Sequence, residues 1–366
     1  SSEEAHADIG GRANGAVRVG GRELRCRVVG EGGNLGLSQR GRIEYALGGG
    51  RLNTDFIDNS GGVNCSDVEV NIKVLLGRSM QAGRLRRSDR DRLLARMTDE
   101  VAELVLRGNY MQGQSLSVTE AHAAERLAEH AHVIRSLERA AGLDRAIEAL
   151  PTDEEIAERR RLGKGLTRPE LAMILSYSKL WLYDRLIESD VPEDPYLGRE
   201  LLRYFPAPVQ KRFAADIPGH PVRRKIIVTA TTNSLVNRMG PVFAIRAQED
   251  TGAGIAAIAR AFTIAREITD MRGLWADIEC LDNQAPAELQ YEMLHASGRL
   301  LRYLTYWVLA NLRDLDIERA VSALRPGLAE LLEDLPSLLL GLEAGQYGRA
   351  LARLEPDGAP ARLARG

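Results

Sequence analysis

Hydrophobic and polar residues alternate in two short segments near the start of the chain, residues 22–30 and 51–57, and a glycine- or asparagine-rich loop follows each. Such alternation is typical of β-strands. Between them, residues 38–47 have the three-to-four-residue spacing of an amphipathic helix, and this spacing returns at residues 63–76. The order strand, loop, helix, strand, loop, helix predicts a parallel, helix-covered sheet with ligands bound outside the carboxyl ends of its strands.

Helical spacing dominates the chain after residue 77. Three amphipathic runs follow a Ser or Thr that has Glu three positions later, the capping-box spacing of a helix start. These pairs are Ser117/Glu120, Thr152/Glu155 and Thr167/Glu170. Ser66 and Glu69 have the same spacing within the earlier predicted helix. We therefore predict an α/β segment over residues 1–77 and a large all-α domain over residues 78–366.

Composition and charge exclude several classes of protein. The 49 Lys and Arg residues nearly balance the 51 Asp and Glu residues, so no net charge attracts nucleic acid or anionic membrane. No apolar run reaches the roughly 18 residues that a membrane helix needs. The three cysteines form no CxxC pair, which argues against a disulfide framework or a zinc site. We expect a cytoplasmic protein and, because the chain starts without Met, part of a longer one.

Two polar loops after the predicted strands are the candidate sites. In residues 30–36, glycines would let the backbone approach a ligand, but the third glycine falls one place late for the dinucleotide fingerprint. A tight structural turn and a cofactor loop fit this segment equally well. In residues 58–67, a helix start would attract anions, although Ser66 as a simple N-cap and Asn59 as a turn residue fit equally well. Neighbouring strand ends would share one crevice, which favours function for both loops.

Two motifs in these loops are specific enough to compare with known families. The first is Glu31-Gly32-Gly33-Asn34, and the second spans residues 59–66, Asn-Ser-Gly-Gly-Val-Asn-Cys-Ser. They resemble the E-G-A-N and N-[AS]-G-G-V-x-x-S segments of glutamate dehydrogenases, with Gly33 in place of Ala. The chain is most similar to the large bacterial NAD-specific enzymes, and the resemblance continues at residues 166–172, 177–182, 203–206, 232–240 and 272–275.

This resemblance implies the fold and the ligands of the site. Residues 1–77 would be the C-terminal part of a Rossmann-like NAD-binding catalytic domain. The implied cofactor-binding residues are Gly32, Gly33, Asn34 and Asn59, and the implied substrate-binding residues are Asn59, Gly62, Val63 and Ser66. Ser66 is implied to contact the substrate α-carboxylate. The catalytic Lys and Asp of the family would precede Ser1, so we expect no catalytic residue in this chain and no turnover by the chain alone.

The resemblance predicts an oxidoreductase that uses NAD to deaminate L-glutamate to 2-oxoglutarate and ammonia, and we expect it to be a homo-oligomer that binds no nucleic acid, membrane or metal. The alternative is a non-catalytic helical scaffold, in which residues 78–366 serve oligomerisation or regulation and the loops are vestigial. A strand followed by G-x-G-x-x-G upstream of Ser1 would argue against the scaffold.

Two further clusters have simpler interpretations than a functional site. Residues 84–92 are basic, but interleaved Asp and missing aromatic residues favour a solvated helix face over a nucleic acid site. His122, His130 and His132 have no HExxH context, so we predict surface positions on one helix rather than a metal site.

Overall fold

The structure of the chain is a computed structural model that describes Ser1, Glu4 and residues 18–354. It divides into two compact units, residues 1–242 and 243–366. Helices make up most of both, and the only strands in the described part of the chain form one short parallel pair in the first unit. The predicted α/β segment followed by helices is confirmed in this coarse form, while the predicted domain boundary stays a prediction.

Helix α8 lies at the centre of the first unit. The helices of this unit are α1 (Gln39–Leu47), α2 (Asp55–Asp58), α3 (Ser60–Gln81), α4 (Arg87–Arg96), α5 (Thr98–Ala121), α6 (Leu127–Ala141), α7 (Asp153–Arg161), α8 (Arg168–Ile187), α9 (Arg199–Arg203), α10 (Ala207–Phe213) and α11 (Arg223–Met239), with short 3₁₀ turns at Gly21–Glu23, Val191–Glu193 and Ile217–Gly219. α8 packs against α1, α5, α6 and α11. It buries Leu171, Ile174 and Leu182 completely, because it has neighbours on most sides.

The two predicted strands exist but are shorter than predicted. β1 (Val28–Val29) pairs in parallel with β2 (Arg51–Leu52), and Val28 lies opposite Arg51. The predicted extents of residues 22–30 and 51–57 are therefore wrong. In the described residues each strand has one neighbour only, and the chain after Leu52 turns directly into α2. Strand-forming residues alone do not lengthen a two-stranded pair, because each strand has no second strand to form hydrogen bonds with.

The first two predicted helices are confirmed, and the second is longer than predicted. The Ser38 hydroxyl caps the start of α1 by accepting from Gly41 N at 3.2 Å, and Gly48 ends that helix. The second predicted helix, residues 63–76, is α3. It begins three residues earlier and continues through Gly77, although glycine costs about 1 kcal/mol in a helix interior. Packing of this helix against α5 offsets that cost.

Two of the three predicted capping boxes start helices. Thr152 N donates to the Glu155 carboxylate at 2.7 Å at the start of α7, and Thr167 N donates to the Glu170 carboxylate at 2.6 Å at the start of α8. The box at Ser117 is wrong, because Ser117 lies inside α5 and donates its hydroxyl to Gly113 O at 3.0 Å. Capping-box spacing inside a continuous helix has no free N–H groups to satisfy.

The second unit packs around α13. Its described helices are α12 (Phe243–Thr251), α13 (Ile255–Ile268), α14 (Met271–Glu279), α15 (Ala287–Asn311), α16 (Ile317–Leu338) and α17 (Gly341–Leu354). α13 contacts α12, α14, α15 and α16, and it buries Ile258, Phe262 and Ile264. None of the helices in the described ranges is both long and apolar enough to cross a membrane.

Candidate functional site

A hydrogen bond between two asparagine side chains joins the two predicted loops: Asn59 Nδ2 donates to Asn34 Oδ1 at 3.1 Å. Residues 30–36, which follow β1, are named the glycine loop, and residues 53–63, which follow β2, the amide corner. Because β1 and β2 are parallel neighbours, both segments leave the strand pair at the same edge. The prediction that the two loops come together is confirmed at this contact, whereas the ligand roles of their residues stay predictions.

Two carboxylates of α2 hold the backbone of the glycine loop. Asp58 Oδ2 accepts from Glu31 N, and Asp55 Oδ2 accepts from Leu35 N, both at 2.9 Å. Leu35 has a φ of 59°, a left-handed conformation that residues other than glycine adopt rarely. The glycine loop is therefore fixed near both of its ends by α2.

A buried arginine of α1 binds the same region. Arg42 Nη2 lies 2.6 Å from Glu31 Oε2 and 3.1 Å from Asp55 Oδ1, and Arg42 Nε donates to Glu31 at 2.9 Å. Arg42 and Glu31 are each 5% exposed. Charge-assisted bonds of this two-pronged kind are stronger and more directional than neutral ones. They connect α1, the glycine loop and α2 into one structure.

The tip of the glycine loop is open. Gly32, Gly33 and Asn34 are exposed, and within the described residues their backbone N–H groups make no hydrogen bond. Apart from its neighbours in sequence, a Cβ atom added to Gly32 or Gly33 would meet no atom of the described residues within 4 Å. Among these residues, replacement of the Ala of the related motif by Gly33 therefore removes no packing contact. Three consecutive donors at one loop tip can serve a ligand that carries acceptor oxygens.

The other predicted residues lie along one face of α3. Val63 and Ser66 follow Asn59 by four and seven positions, which is one and two helical turns, and both are exposed. Gly62 lies against the Asn59 side chain, because a Cβ atom at Gly62 would come within 2.7 Å of Asn59 Oδ1. Glycine at this position therefore leaves the room that the Asn59 amide occupies. The face extends about 10 Å along the helix from Asn59 to Ser66.

The interpretation of Ser66 as a helix start is wrong. α3 begins at Ser60, so Ser66 lies in its second turn, where its hydroxyl donates to Val63 O at 2.8 Å. The N–H groups of Asn59, Gly62 and Val63 are paired with backbone carbonyls, whereas those of Ser60 and Gly61 make no hydrogen bond within the described residues. The free N–H groups at the start of this helix therefore belong to Ser60 and Gly61 and not to the turn that contains Ser66. The exposed Ser66 hydroxyl is the group that this face offers to a carboxylate.

Comparison with known proteins places these segments in a family. A family model described as "Glutamate dehydrogenase, C-terminal" matches residues 163–366. The chain belongs to the glutamate dehydrogenase family. A second model, described as "Bacterial NAD-glutamate dehydrogenase, catalytic domain", matches residues 1–119, which include the glycine loop and the amide corner.

Curated glutamate dehydrogenases match over the whole chain. The NAD-specific glutamate dehydrogenase of Halomonas elongata is 45% identical to this chain over 364 residues, and that of Pseudomonas aeruginosa is 45% identical over 366 residues. Each alignment covers 100% of this chain and 23% of the relative. The NAD-specific glutamate dehydrogenase of Mycobacterium tuberculosis is 39% identical over 309 residues, 84% of this chain and 19% of that relative. The chain therefore spans less than a quarter of the length of these proteins.

Two residues near the site were not predicted to act there. Asn53 Nδ2 donates to Asp58 Oδ1 at 2.6 Å, and Asn53 Oδ1 accepts from Arg168 Nε at 2.5 Å. Arg168 also donates to Gly113 O and Ser117 Oγ, both at 3.0 Å. Arg168 lies in residues 166–172, one of the segments that resemble the glutamate dehydrogenase family, which was the one available signal for it. No local pattern relates positions 115 residues apart.

Helix α5 contacts the amide corner through two further amides that sequence analysis missed. Asn109 Nδ2 donates to Ile57 O at 2.8 Å and to Ser60 Oγ at 2.9 Å. Gln112 Nε2 donates to the same Ser60 hydroxyl at 3.3 Å, and Gln112 Oε1 accepts from Lys179 Nζ at 3.2 Å. Desolvation lowers the pKa of Lys179 to about 7. A series of hydrogen bonds thus connects Lys179 of α8, through Gln112 of α5, to Ser60, the first residue of α3.

Residues 87–92 of the basic segment form a solvated helix face, as predicted, whereas residues 84–86 precede α4 and Leu85 is buried. α4 buries none of its residues. Asp89 accepts hydrogen bonds from Arg86 Nε at 2.9 Å and from Arg92, and these two bonds lower the pKa of Asp89. The interleaved acids therefore neutralise the arginines locally.

The prediction that three histidines are surface positions on one helix is wrong. His122 ends α5, whereas His130 and His132 lie on α6. His130 is fully buried, and desolvation lowers its pKa to about 4. The missed signal was its position in the apolar stripe of α6, three residues after Leu127 and four before Ile134. Over the described ranges no group of His, Cys, Asp and Glu is placed to hold a metal ion.

Proposed function

We propose that this chain forms part of the active site of an NAD-dependent glutamate dehydrogenase, which converts L-glutamate to 2-oxoglutarate and ammonia. The observation that carries the proposal is the hydrogen bond between Asn34 and Asn59. It joins two segments that resemble the cofactor and substrate motifs of the family, and both leave the same edge of a parallel strand pair. Ligands of parallel α/β folds bind at that edge.

The glycine loop fits NAD as a ligand. The consecutive N–H groups of Gly32, Gly33 and Asn34 are available as donors, and the space beside both glycines is open. Backbone N–H groups next to glycines are suited to phosphate and ribose oxygens. NAD, when bound, accepts the hydride that glutamate loses. The Asn34 amide would hold the cofactor, and the Asn59 amide would contact both cofactor and substrate.

The exposed face of α3 fits the amino acid substrate. The Ser66 hydroxyl exchanges its bond to Val63 O for one donated to a substrate carboxylate. Val63 and Gly62 form the adjoining surface, and the Asn59 amide fixes the substrate relative to the cofactor. Positioning of this kind is a large part of catalysis, because small displacements of reacting groups are costly. The groups that activate water and move protons belong, in this proposal, to the part of the relatives that this chain does not span.

We further propose that the strand pair belongs to a larger Rossmann-like domain and that the enzyme is a cytoplasmic homo-oligomer. The parallel order β1, α1, β2 supports the first. Free and exposed Cys26 and Cys280 suit a reducing compartment. The exposed aromatic rings of Tyr303 and Trp307 on α15 suit an interface.

The first experiment is an NAD-linked assay of the full-length protein with glutamate and other amino acids, in which NADH formation with other amino acids only would contradict the proposed glutamate dehydrogenase activity.

Replacement of Asn34 by Ala in the full-length protein is expected to raise the KM for NAD about tenfold, since it removes one hydrogen bond to the cofactor and the contact with Asn59. Steady-state kinetics with NAD varied at saturating glutamate measures this. Leu47→Ala, at the exposed far end of α1, is the control and should leave both KM values unchanged. An unchanged KM for NAD in Asn34→Ala would remove the proposed cofactor role of this residue.

Replacement of Ser66 by Ala is expected to raise the KM for glutamate about tenfold, because a hydrogen bond to a charged carboxylate is lost. The KM for NAD should stay within about twofold, because Ser66 lies two turns of α3 from Asn59. Ser88→Ala, which removes an exposed hydroxyl from α4, is the matched control. Equal changes in the two KM values would argue for a general distortion of the site rather than a substrate contact.

A further inference from the structure

Asn109 of α5 contacts groups on both sides of Asn59, backbone carbonyls before it and a side-chain hydroxyl after it. Its Nδ2 donates to Ile57 O at 2.8 Å, lies 3.5 Å from Asp58 O, and donates to Ser60 Oγ at 2.9 Å. Ile57 and Asp58 precede Asn59, and Ser60 follows it. The two hydrogens of one side-chain amide therefore bind one group before and one group after a single residue of the candidate site.

The backbone at Asn59 needs such support. Asn59 joins α2 to α3 with φ −84° and ψ 2°, and its side chain caps neither helix. α2 has four residues, too few for a helix to be stable by itself, and its last carbonyls need partners. The direction of the Asn59 side chain, and with it the hydrogen bond to Asn34, depends on the geometry of this joint.

A second layer orients the same joint. Gln112, one turn after Asn109 on α5, donates to the Ser60 hydroxyl at 3.3 Å, and Lys179 of α8 donates to Gln112 at 3.2 Å. Because the Lys179 bond occupies the amide oxygen of Gln112, the Gln112 nitrogen is left to face Ser60. Two neighbouring helices therefore act on the first residue of α3.

We propose that Asn109 is a positioning residue for the reaction: it sets the joint at Asn59, and through Asn59 the junction with Asn34, so that α5 controls the geometry of the site. This inference rests on the proposed function. Asn109 acts through Asn59, and its effect on catalysis is therefore present only when the Asn59 side chain is present.

A double-mutant cycle in the full-length enzyme tests this inference. Asn109→Asp keeps the size of the side chain, but an ionised carboxylate has no hydrogen to donate. The variant therefore loses the hydrogen bonds that Asn109 donates to Ile57 O and Ser60 Oγ. We expect kcat/KM for NAD-linked glutamate oxidation to fall about tenfold or more. In an Asn59→Ala background the same change should cost less than about threefold, because residues that act together are not additive. Equal losses in both backgrounds, or no loss in either, would overturn the proposal.

A control and a second readout separate positioning from general destabilisation. Gln114→Glu makes the same amide-to-acid change on α5, but Gln114 bonds Tyr110 and Arg238 instead of the amide corner, so kcat/KM should stay within about twofold. Amide hydrogen exchange over residues 53–63 should be about tenfold faster in Asn109→Asp and unchanged in Gln114→Glu. If Asn109→Asp does not fold, Asn109→Ala, which removes the donor without adding charge, takes its place in every measurement.

Exchange also distinguishes failure of the inference from failure of the proposed function. If the wild-type full-length protein produces no NADH from glutamate, the proposed function is lost, and exchange over residues 53–63 still decides whether Asn109 sets the joint. Faster exchange in the Asn109 variant supports the positioning role, and unchanged exchange overturns it.

Discussion

Replacement of Arg42 by Met is expected to lower the free energy of unfolding of the chain by about 3–5 kcal/mol. Methionine keeps much of the apolar stem but removes the guanidinium that binds Glu31 and Asp55. Glu31 is 5% exposed, so its carboxylate would stay buried without its cation. Breaking a buried pair in this way costs more than the pair contributes, because the remaining charge is desolvated and unpaired. Urea unfolding followed by circular dichroism measures the loss.

Two variants show whether the loss comes from the buried charge. Arg96→Met removes an exposed arginine from α4 and should change the free energy of unfolding by less than about 0.5 kcal/mol. Adding Glu31→Leu to Arg42→Met should recover part of the loss, because no buried Glu31 carboxylate is then left without its cation, while Asp55 keeps the N–H donors of Leu35 and Phe56. A loss below about 1 kcal/mol in Arg42→Met, the range of a surface ion pair, would contradict the importance of this pair. Activity of the full-length variant should fall as well, since Arg42 holds the glycine loop through Glu31.

The parts of the fold that could be predicted from the sequence are those that neighbouring residues determine. Ser38 starts α1 and Gly48 ends it, each through hydrogen bonds to residues at most four positions away. Thr152 and Thr167 start α7 and α8 through equally local bonds. The parallel pairing of β1 with β2 was predictable as well, because the order strand, helix, strand is typical of neighbouring parallel strands. Local capping and periodicity are strong enough to appear in a single sequence.

The parts that could not be predicted depend on residues far apart in the chain. The strands are short because the chain after Leu52 turns into α2, a choice that hydrogen bonds from Asp55 and Asp58 to the glycine loop support. The bond between Arg168 and Asn53 joins positions 115 residues apart, and the bond between Asn109 and Ser60 joins positions 49 apart. The residues that support the candidate site therefore became visible only in the structure, whereas Asn34 and Asn59 were visible in their motifs.

His130 is expected to make the first unit acid-sensitive. Its imidazole is fully buried, and among the described residues neither ring nitrogen has a hydrogen-bond partner. Desolvation, with a smaller effect of Arg126, lowers its pKa from 6.5 to about 4. Above pH 6.5 the ring is neutral in both states, so it adds no pH dependence. Between pH 6.5 and about 4 the unfolded chain takes up a proton that the native chain does not, and the native state loses about 3 kcal/mol.

A comparison of variants isolates this effect from the protonation of carboxylates. His130→Leu fills a similar volume without a titratable group, so its stability relative to the wild type should rise by about 3 kcal/mol as the pH falls from 7 to 4. Ile134→Leu, four residues further along α6 and equally buried, changes no titratable group and is the control, so its pH dependence should follow the wild type within about 1 kcal/mol. Urea unfolding at a series of pH values measures the difference. Parallel curves for wild type and His130→Leu would mean that the buried ring is protonated as readily in the native chain as in the unfolded one.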